Sequence, residues 1–210
     1  MSLFTRSTKI VALTGLVALA VGSASAQVVA ERATCDGAYK PQVGQEGKDV
    51  VWVPTPDEVV QRMLQVAKVT PKDIVYDLGA GDGKIAIAAG KLGAKSVGIE
   101  YNPDMAKLAQ CYVQAEKLTG KTRIIQGDVF ESDFRDATVV TMYLLPELNV
   151  RLLPKLLKDL KPGTRIVSHS FRMGTWEPEQ TLDVGGRAVY FWTIPAPGTP
   201  SYAAAIAATK

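Results

Sequence analysis

The stretch Asp77-Leu78-Gly79-Ala80-Gly81-Asp82-Gly83 closes an apolar run with a carboxylate and three glycines at alternate positions. Glycine reaches positive φ at no steric cost and lets a ligand approach the main chain where a Cβ would stand in the way. The dinucleotide-binding turn needs G-x-G-x-x-G, with a helix N-terminus facing a pyrophosphate. Here the third glycine comes one residue early, and Lys84 occupies the place of the last glycine in that pattern. The Walker lysine pattern is absent as well. Asp77 suits a cationic ligand, because a carboxylate beside the turn accepts hydrogen bonds from an α-amino group, directly or through water. Glu100 follows 17 residues after Gly83 at the end of a second apolar run, where a carboxylate can take both hydroxyls of a ribose. Asp128, in Gln126-Gly127-Asp128-Val129, follows a third run. A bare glycine turn remains the alternative for the loop alone, and each carboxylate alone reads as a solvated strand end. Three strand ends that carry acids to one edge of a sheet argue for a ligand site.

The elements that must hold these residues alternate along the chain. Val59, Val60, Met63, Leu64 and Ala67 form an apolar stripe at helical spacing. Thr55 is the candidate N-cap, with Pro56 at the first helical position and Glu58 completing a capping box. Strands are expected over 74–78, 96–100, 122–126, 138–143 and 164–169, and helices over 83–91, from Asn102-Pro103 to about Thr119, closed by Gly120, and over 146–160. Pro154 should kink or split the last of these. Residues 180–184 and 187–194, joined by Gly185-Gly186, read as an antiparallel hairpin. Strands alternating with helices predict right-handed crossovers and a parallel sheet covered on both faces. The fold expected is α/β, a Rossmann-like, seven-stranded, mostly parallel sheet with helices on both faces and a C-terminal antiparallel hairpin.

Composition narrows the rest. Two hundred and ten residues suit one domain, and 47% hydrophobic with 21% charged residues is a globular balance. Residues 1–26 read as a secretory signal peptide cut after Ala26: a positive leader with Arg6 and Lys9, an apolar run from Ile10 to Gly22, and small residues before Gln27. That run is too short for an ordinary membrane span, although an uncleaved anchor is the alternative. The body is therefore expected to be exported, periplasmic or secreted, or else membrane-associated through the uncleaved segment. Without the leader's two positive charges the net charge falls from +3 to +1. No basic stripe remains to neutralise phosphates, so a nucleic-acid partner is not expected. Residues 27–50 read as an irregular arm, 51–195 as the functional domain and 196–210 as a tail. Cys35 and Cys111 can pair in an oxidising compartment, but Cys111 falls on a helix, where a small buried hydrophobe is the favoured reading. A single histidine, His169, and no clustered ligand spacing give no metal site; a structural role is favoured for His169.

Taken together, D-x-G-x-G-x-G resembles the first motif of the S-adenosylmethionine-dependent methyltransferases, and five βα units followed by a hairpin resemble their seven-stranded fold. The segments VPTPDEVVQRML, VYDLGAGDGKIAIAA, GIEYNP, YLLPELNVRLLPKLLKDLKPGTRIVSHSF and TWEP are similar to the small non-SET lysine methyltransferases of the ATP synthase c-subunit and adenine nucleotide translocase, over about residues 50–195. The resemblance implies S-adenosylmethionine as cofactor, held by Asp77, Gly79, Ala80, Gly81, Gly83, Glu100, Tyr101, Asp128 and Val129. Asp128 then faces the adenine amino group, and Thr55 lies near the methionine end. It implies a protein partner with an accessible lysine, including membrane proteins. The end of the fourth strand reads Met142-Tyr143-Leu144-Leu145-Pro146 rather than the Asn-Pro-Pro-Tyr of many amide and exocyclic-amine methyltransferases, which argues against DNA-adenine or glutamine acceptors. An apolar and aromatic wall suits a lysine, whose neutral form desolvation favours. Tyr143 is the candidate catalytic residue, with an ordinary core tyrosine as its alternative. Phe171 and Trp176 either line the acceptor slot or pack the hairpin. A small-molecule or lipid methyltransferase, and a non-catalytic module with the same fold, are the competing functions.

Overall fold

A computed structural model describes the backbone of residues 16–209 and the side chains of 25–209. Of the leader expected over residues 1–26, residues 1–15 lie outside the described residues. The strands are β1 (Ile74–Leu78), β2 (Lys95–Glu100), β3 (Thr122–Gln126), β4 (Val139–Met142), β5 (Arg165–His169), β6 (Gln180–Val184) and β7 (Arg187–Thr193). They form one sheet in the order β3-β2-β1-β4-β5-β7-β6. The first five strands in that order pair in parallel, and β7 runs antiparallel to both β5 and β6. Strand order reverses beside β1, so its carboxyl end opens onto a crevice rather than a crossover.

Each face of the sheet is covered. Helix α2 (Asp57–Val66) lays Val59, Val60, Met63 and Leu64 on Val75, Val139, Val167 and Val189, together with Ile85 of α3 (Lys84–Lys91). On the opposite face α5 (Pro146–Asp159) buries Leu152, Leu153, Leu156 and Leu157 against Val140, Met142, Ile166 and Trp192. Helix α4 (Pro103–Ala115) covers the β2–β3 end. Its N-cap is Asn102, whose Oδ1 accepts from the backbone of Asp104 and Met105, with Pro103 at the first helical position.

Several sequence expectations are corrected. Residues 27–50 are not wholly irregular: α1 runs Leu16–Ala38. Its contact stripe consists of Val28, Glu31, Arg32 and Cys35, at i, i+3, i+4 and i+7, while the residues between are exposed. Two members of that stripe are charged, so no apolar period is visible. Arg32 bridges to Glu116 at 2.9 Å and its guanidinium lies 4.0 Å over the Tyr112 ring; the Tyr112 hydroxyl donates to Asp36. Cys111 is not a lone buried hydrophobe but is disulfide-bonded to Cys35. Helix α4 ends at Ala115 rather than near Thr119 because Lys117, at φ 57°, takes the left-handed turn in place of Gly120. Pro154 does not split α5. It sits on the exposed side, while the leucine face stays packed. Within the 196–210 tail, α6 (Pro200–Ala207) buries Ala205 beside α5. Finally, Thr55 is not the cap of α2. Pro56 takes that position, its carbonyl accepting from Val59 and Val60, and no side chain caps the helix. The Thr55 side chain turns inward instead.

Candidate active site

A cavity of about 300 Å³ lies across the carboxyl ends of the parallel strands. The glycine loop after β1 forms its floor. Gly79 and Ala80 both donate their N–H to the Ile99 carbonyl (3.0 and 2.9 Å), which ties the loop to β2. Gly81, at φ 55°, has no room for a Cβ, which would stand 2.6 Å from the Trp52 indole nitrogen. Gly83, at φ 76°, lies outside the lining. It caps α3 and packs so closely on Ala109 and Ile124 that a Cβ would meet them at 3.0 and 3.2 Å.

The sheet order distributes the chemistry. Asp128 and Glu100 stand at the ends of β3 and β2, Asp77 in the centre on β1, and Tyr143 and Phe171 beyond β4 and β5; all five line the cavity. Four strand steps of about 4.8 Å separate the two extremes by roughly 19 Å. Asp77 is 2% exposed, and its Oδ1 accepts from the Thr141 hydroxyl at 2.8 Å. Burial above all, then the charges of Asp82 and Glu100, pushes this carboxyl up to about 7, against the Thr141 hydrogen bond. Among the described residues no basic side chain forms an ion pair with Asp77. A buried acid without a cation, aimed into a cavity, fits a ligand that brings one.

Glu100 is oriented by two backbone donors, Gly81 to Oε2 at 2.8 Å and Asn102 to Oε1 at 2.9 Å. Each oxygen keeps a further lone pair for a ligand hydroxyl. Asp128 Oδ1 accepts from Phe130 N–H at 2.9 Å, and its Oδ2 pairs with Lys48 at 2.6 Å. The Lys48 hydrogen bond is the main reason its carboxyl sits below the usual range. Lys48 also lies 4.7 Å over the half-exposed Tyr101 ring. Val129 and Tyr101 complete this end of the lining.

At the opposite end the Tyr143 ring lies tilted 3.9 Å from the His169 imidazole and stacks 6.0 Å from Phe171. His169 is 1% exposed, its Nδ1 lies 3.3 Å from Thr55 Oγ1, and its Nε2 is buried without a partner. Burial, helped by the Arg187 charge, lowers this imidazole to about 4 and keeps it neutral. Phe171 is placed by a pinned turn. Ser170 adopts φ 62°, Ser168 Oγ donates to the Phe171 carbonyl at 2.6 Å, and the fully buried Asn149 amide donates to the Phe171 and Arg172 carbonyls. Trp176 is not in the lining: it is buried 5.9 Å from Trp192, whose Nε1 donates to the Trp176 carbonyl. Of the two aromatic residues after β5, only Phe171 faces the site. Among the described residues no group of three or more His, Cys, Asp or Glu side chains is placed to hold a metal.

Sequence reasoning missed the wall made by residues 45–53, which line the cavity together with Pro54 and Thr55. The one available signal was Trp52, a large aromatic set among Val50, Val51 and Val53 directly after the polar 45–49 segment. Leu144 and Leu145, in the segment expected to wall the acceptor slot, do extend the apolar wall from Tyr143, and Leu148, expected only as a helix residue, joins them.

Residues 77–180 match the family described as the ANTKMT methyltransferase domain. A protein-lysine N-methyltransferase of Saccharolobus islandicus (strain REY15A) is 49% identical over 151 residues, 69% of this chain and 94% of that protein. An adenine nucleotide translocase lysine N-methyltransferase of Mus musculus is 29% identical over 140 residues, 66% of this chain and 61% of that protein. A crystal structure described as an RNA methyltransferase of Salinibacter ruber, in complex with S-adenosyl-L-homocysteine, is 48% identical with a TM-score of 0.69, covering 70% of this chain and 97% of that one.

Proposed function

This chain belongs to the class I S-adenosylmethionine-dependent methyltransferases of the ANTKMT-domain family, and from that premise we propose that it methylates lysine ε-amines of proteins, membrane proteins included. The cofactor supplies a positively charged sulfonium whose methyl group is electrophilic. Asp77 would hold its α-amino group, Glu100 the ribose hydroxyls and Asp128 the adenine amino group, with Tyr101 and Val129 flanking the base. Tyr143, Phe171 and Thr55, which line the β4–β5 end of the cavity, would receive the acceptor. In that apolar slot a lysine loses its proton more readily than in water, because desolvation disfavours the ammonium. The Tyr143 face attracts the cationic form on arrival, and the walls exclude water from the reacting pair.

The observation that carries the lysine reading is the charge of the cavity combined with its aromatic end. Six acidic side chains and only two lysines line it. That field attracts a cationic acceptor and repels a polyanion. The Salinibacter protein's description favours RNA as a second reading, but a net charge of +1 after residue 26 gives no electrostatic case for an RNA-binding footprint. Incubating the full chain with methyl-labelled S-adenosylmethionine and host membranes, followed by acid hydrolysis, is expected to release labelled methyl-lysine. Label confined to RNA, lipid or small molecules would refute the assignment.

We further propose that the chain works outside the cytoplasm, cleaved after Ala26 or held at a membrane by the uncleaved segment. The positive leader and apolar run support export, and a disulfide between Cys35 and Cys111 is the bond expected of an oxidising compartment. Among the described residues no helix is long and apolar enough to cross a membrane. Mass spectrometry of protein recovered from the native host is expected to find a chain starting at Gln27 in the extracytoplasmic fraction. A cytoplasmic chain with reduced cysteines would overturn this.

A further inference from the structure

Residues 45–53 lie outside the matched family segment, yet they form one wall of the cavity. The wall is internally ordered. Gly44 N–H donates to the Trp52 carbonyl at 2.8 Å, Trp52 N–H to the Gln45 carbonyl at 2.9 Å, and Gly47 N–H to the Val50 carbonyl at 3.0 Å, closing a loop over 44–52. The Gln45 amide donates to the Tyr39 hydroxyl at 2.8 Å. Two side chains fasten this loop across the cavity: Lys48 reaches Asp128 and Tyr101, and Trp52 lies against Gly81 of the glycine floor. Trp52 and Tyr39 pack into the same apolar cluster as Cys35, Met105, Leu108 and Tyr112. The root of the loop is α1, and α1 is stapled to α4 by the Cys35–Cys111 bond across 76 residues of sequence.

We infer that the 44–52 loop is a lid belonging to the cofactor site, with Trp52 and Lys48 as its contacts, and that the Cys35–Cys111 disulfide holds it in place. This rests on the cofactor reading given above. In the oxidised chain the lid is preorganised, so a nucleoside ligand bears little of the cost of ordering it. Reduction by a dithiol transfers two electrons and two protons to the bond, leaves Cys35 and Cys111 as thiols, and converts the reagent to its own disulfide. Helix α1 then keeps its noncovalent contacts, the Arg32–Glu116 ion pair, the Arg32–Tyr112 stack and the Asp36–Tyr112 hydrogen bond among them, which are partly exposed, and the lid separates from Tyr101 and Gly81 more often. Lys48 does not exhaust Asp128, since a carboxylate offers about four acceptor sites.

The test is titration of the full chain with S-adenosylhomocysteine by calorimetry, oxidised and after dithiothreitol, alongside Trp52→Ala and a Cys35→Ser/Cys111→Ser variant. Reduction, the double cysteine variant and Trp52→Ala are each expected to weaken binding on the order of tenfold, as loss of preorganised contacts does. The cysteine variant should no longer respond to dithiothreitol. Trypsin should cut after Lys48 faster in the reduced protein, and bound S-adenosylhomocysteine should slow that cleavage. Far-ultraviolet circular dichroism and a cooperative melt identify any variant that has lost its fold. Equal affinity and equal cleavage of folded oxidised and reduced protein would overturn the lid. No binding by the oxidised wild type would refute the cofactor reading beneath it, which is a separate result.

Discussion

Asp77→Asn is expected to weaken S-adenosylhomocysteine binding at pH 8 by about 1–3 kcal/mol, the usual loss for a hydrogen bond to a charged group, or roughly 5- to 150-fold in Kd. The side chain is buried, lines the centre of the cavity and has a hydroxyl but no cation as partner. Its carboxyl titrates at about 7, chiefly because burial disfavours the charge. A ligand bearing an α-ammonium prefers the ionised form, so binding should be flat above about pH 7 and weaken towards tenfold per unit as pH falls below it. Asp77→Asn should remove that slope. The stability of the ligand-free chain moves the opposite way. A carboxyl raised in the folded state above its unfolded value near 4 binds more protons folded than unfolded between those values, so its contribution declines as pH rises from about 4 to 7. Asp77→Asn should therefore melt higher than the wild type at pH 8. Unchanged affinity with an unchanged pH slope would remove Asp77 from the site.

Glu100→Ala is expected to lose a comparable 1–3 kcal/mol of S-adenosylhomocysteine binding and, unlike the Asp77 change, to destabilise the empty protein. Its two oxygens hold the N–H groups of Gly81 and Asn102, so truncation frees the glycine floor and the start of α4 together. Leaving those donors without their acceptor should lower the unfolding free energy in urea by about 1–2 kcal/mol. Glu100→Gln keeps one acceptor and should recover much of the stability but only part of the binding. Opposite stability signs for Asp77→Asn and Glu100→Ala would show that one carboxylate is held at a cost for the ligand while the other also organises the loop. Full ligand affinity in a folded Glu100→Ala chain would rule out its contact with the nucleoside.

The strands were legible because a parallel sheet buried on both faces demands short apolar runs, and the turns after them demand glycine or a helix cap. Val75–Leu78, Val97–Ile99 and Val139–Met142 have that form, and each falls where it was expected. The two-glycine hairpin was equally readable, since Gly185 and Gly186 both take positive φ. Helix α1 was not readable, because the stripe that meets α4 is held by Arg32 and Cys35 rather than by apolar side chains. Thr55 was misread for a related reason: its local spacing fits a cap, but the tertiary neighbour His169 offers its side chain a buried partner. Lys117 displaced Gly120 as the end of α4 because a single left-handed residue, once Leu118 is packed, closes the helix earlier.

By itself the sequence determined the order of strands and helices and the acids at their ends, because periodicity and turn chemistry are local and are written along the chain. Only the tertiary structure decided which residues face the cavity. It set Phe171 in the cavity and Trp176 in the hairpin core, left Gly83 to packing, brought Lys48 to Asp128 across 80 positions, and joined Cys35 to Cys111. These are contacts between distant segments, fixed by how helices and loops fill space over the sheet, and no local spacing encodes them.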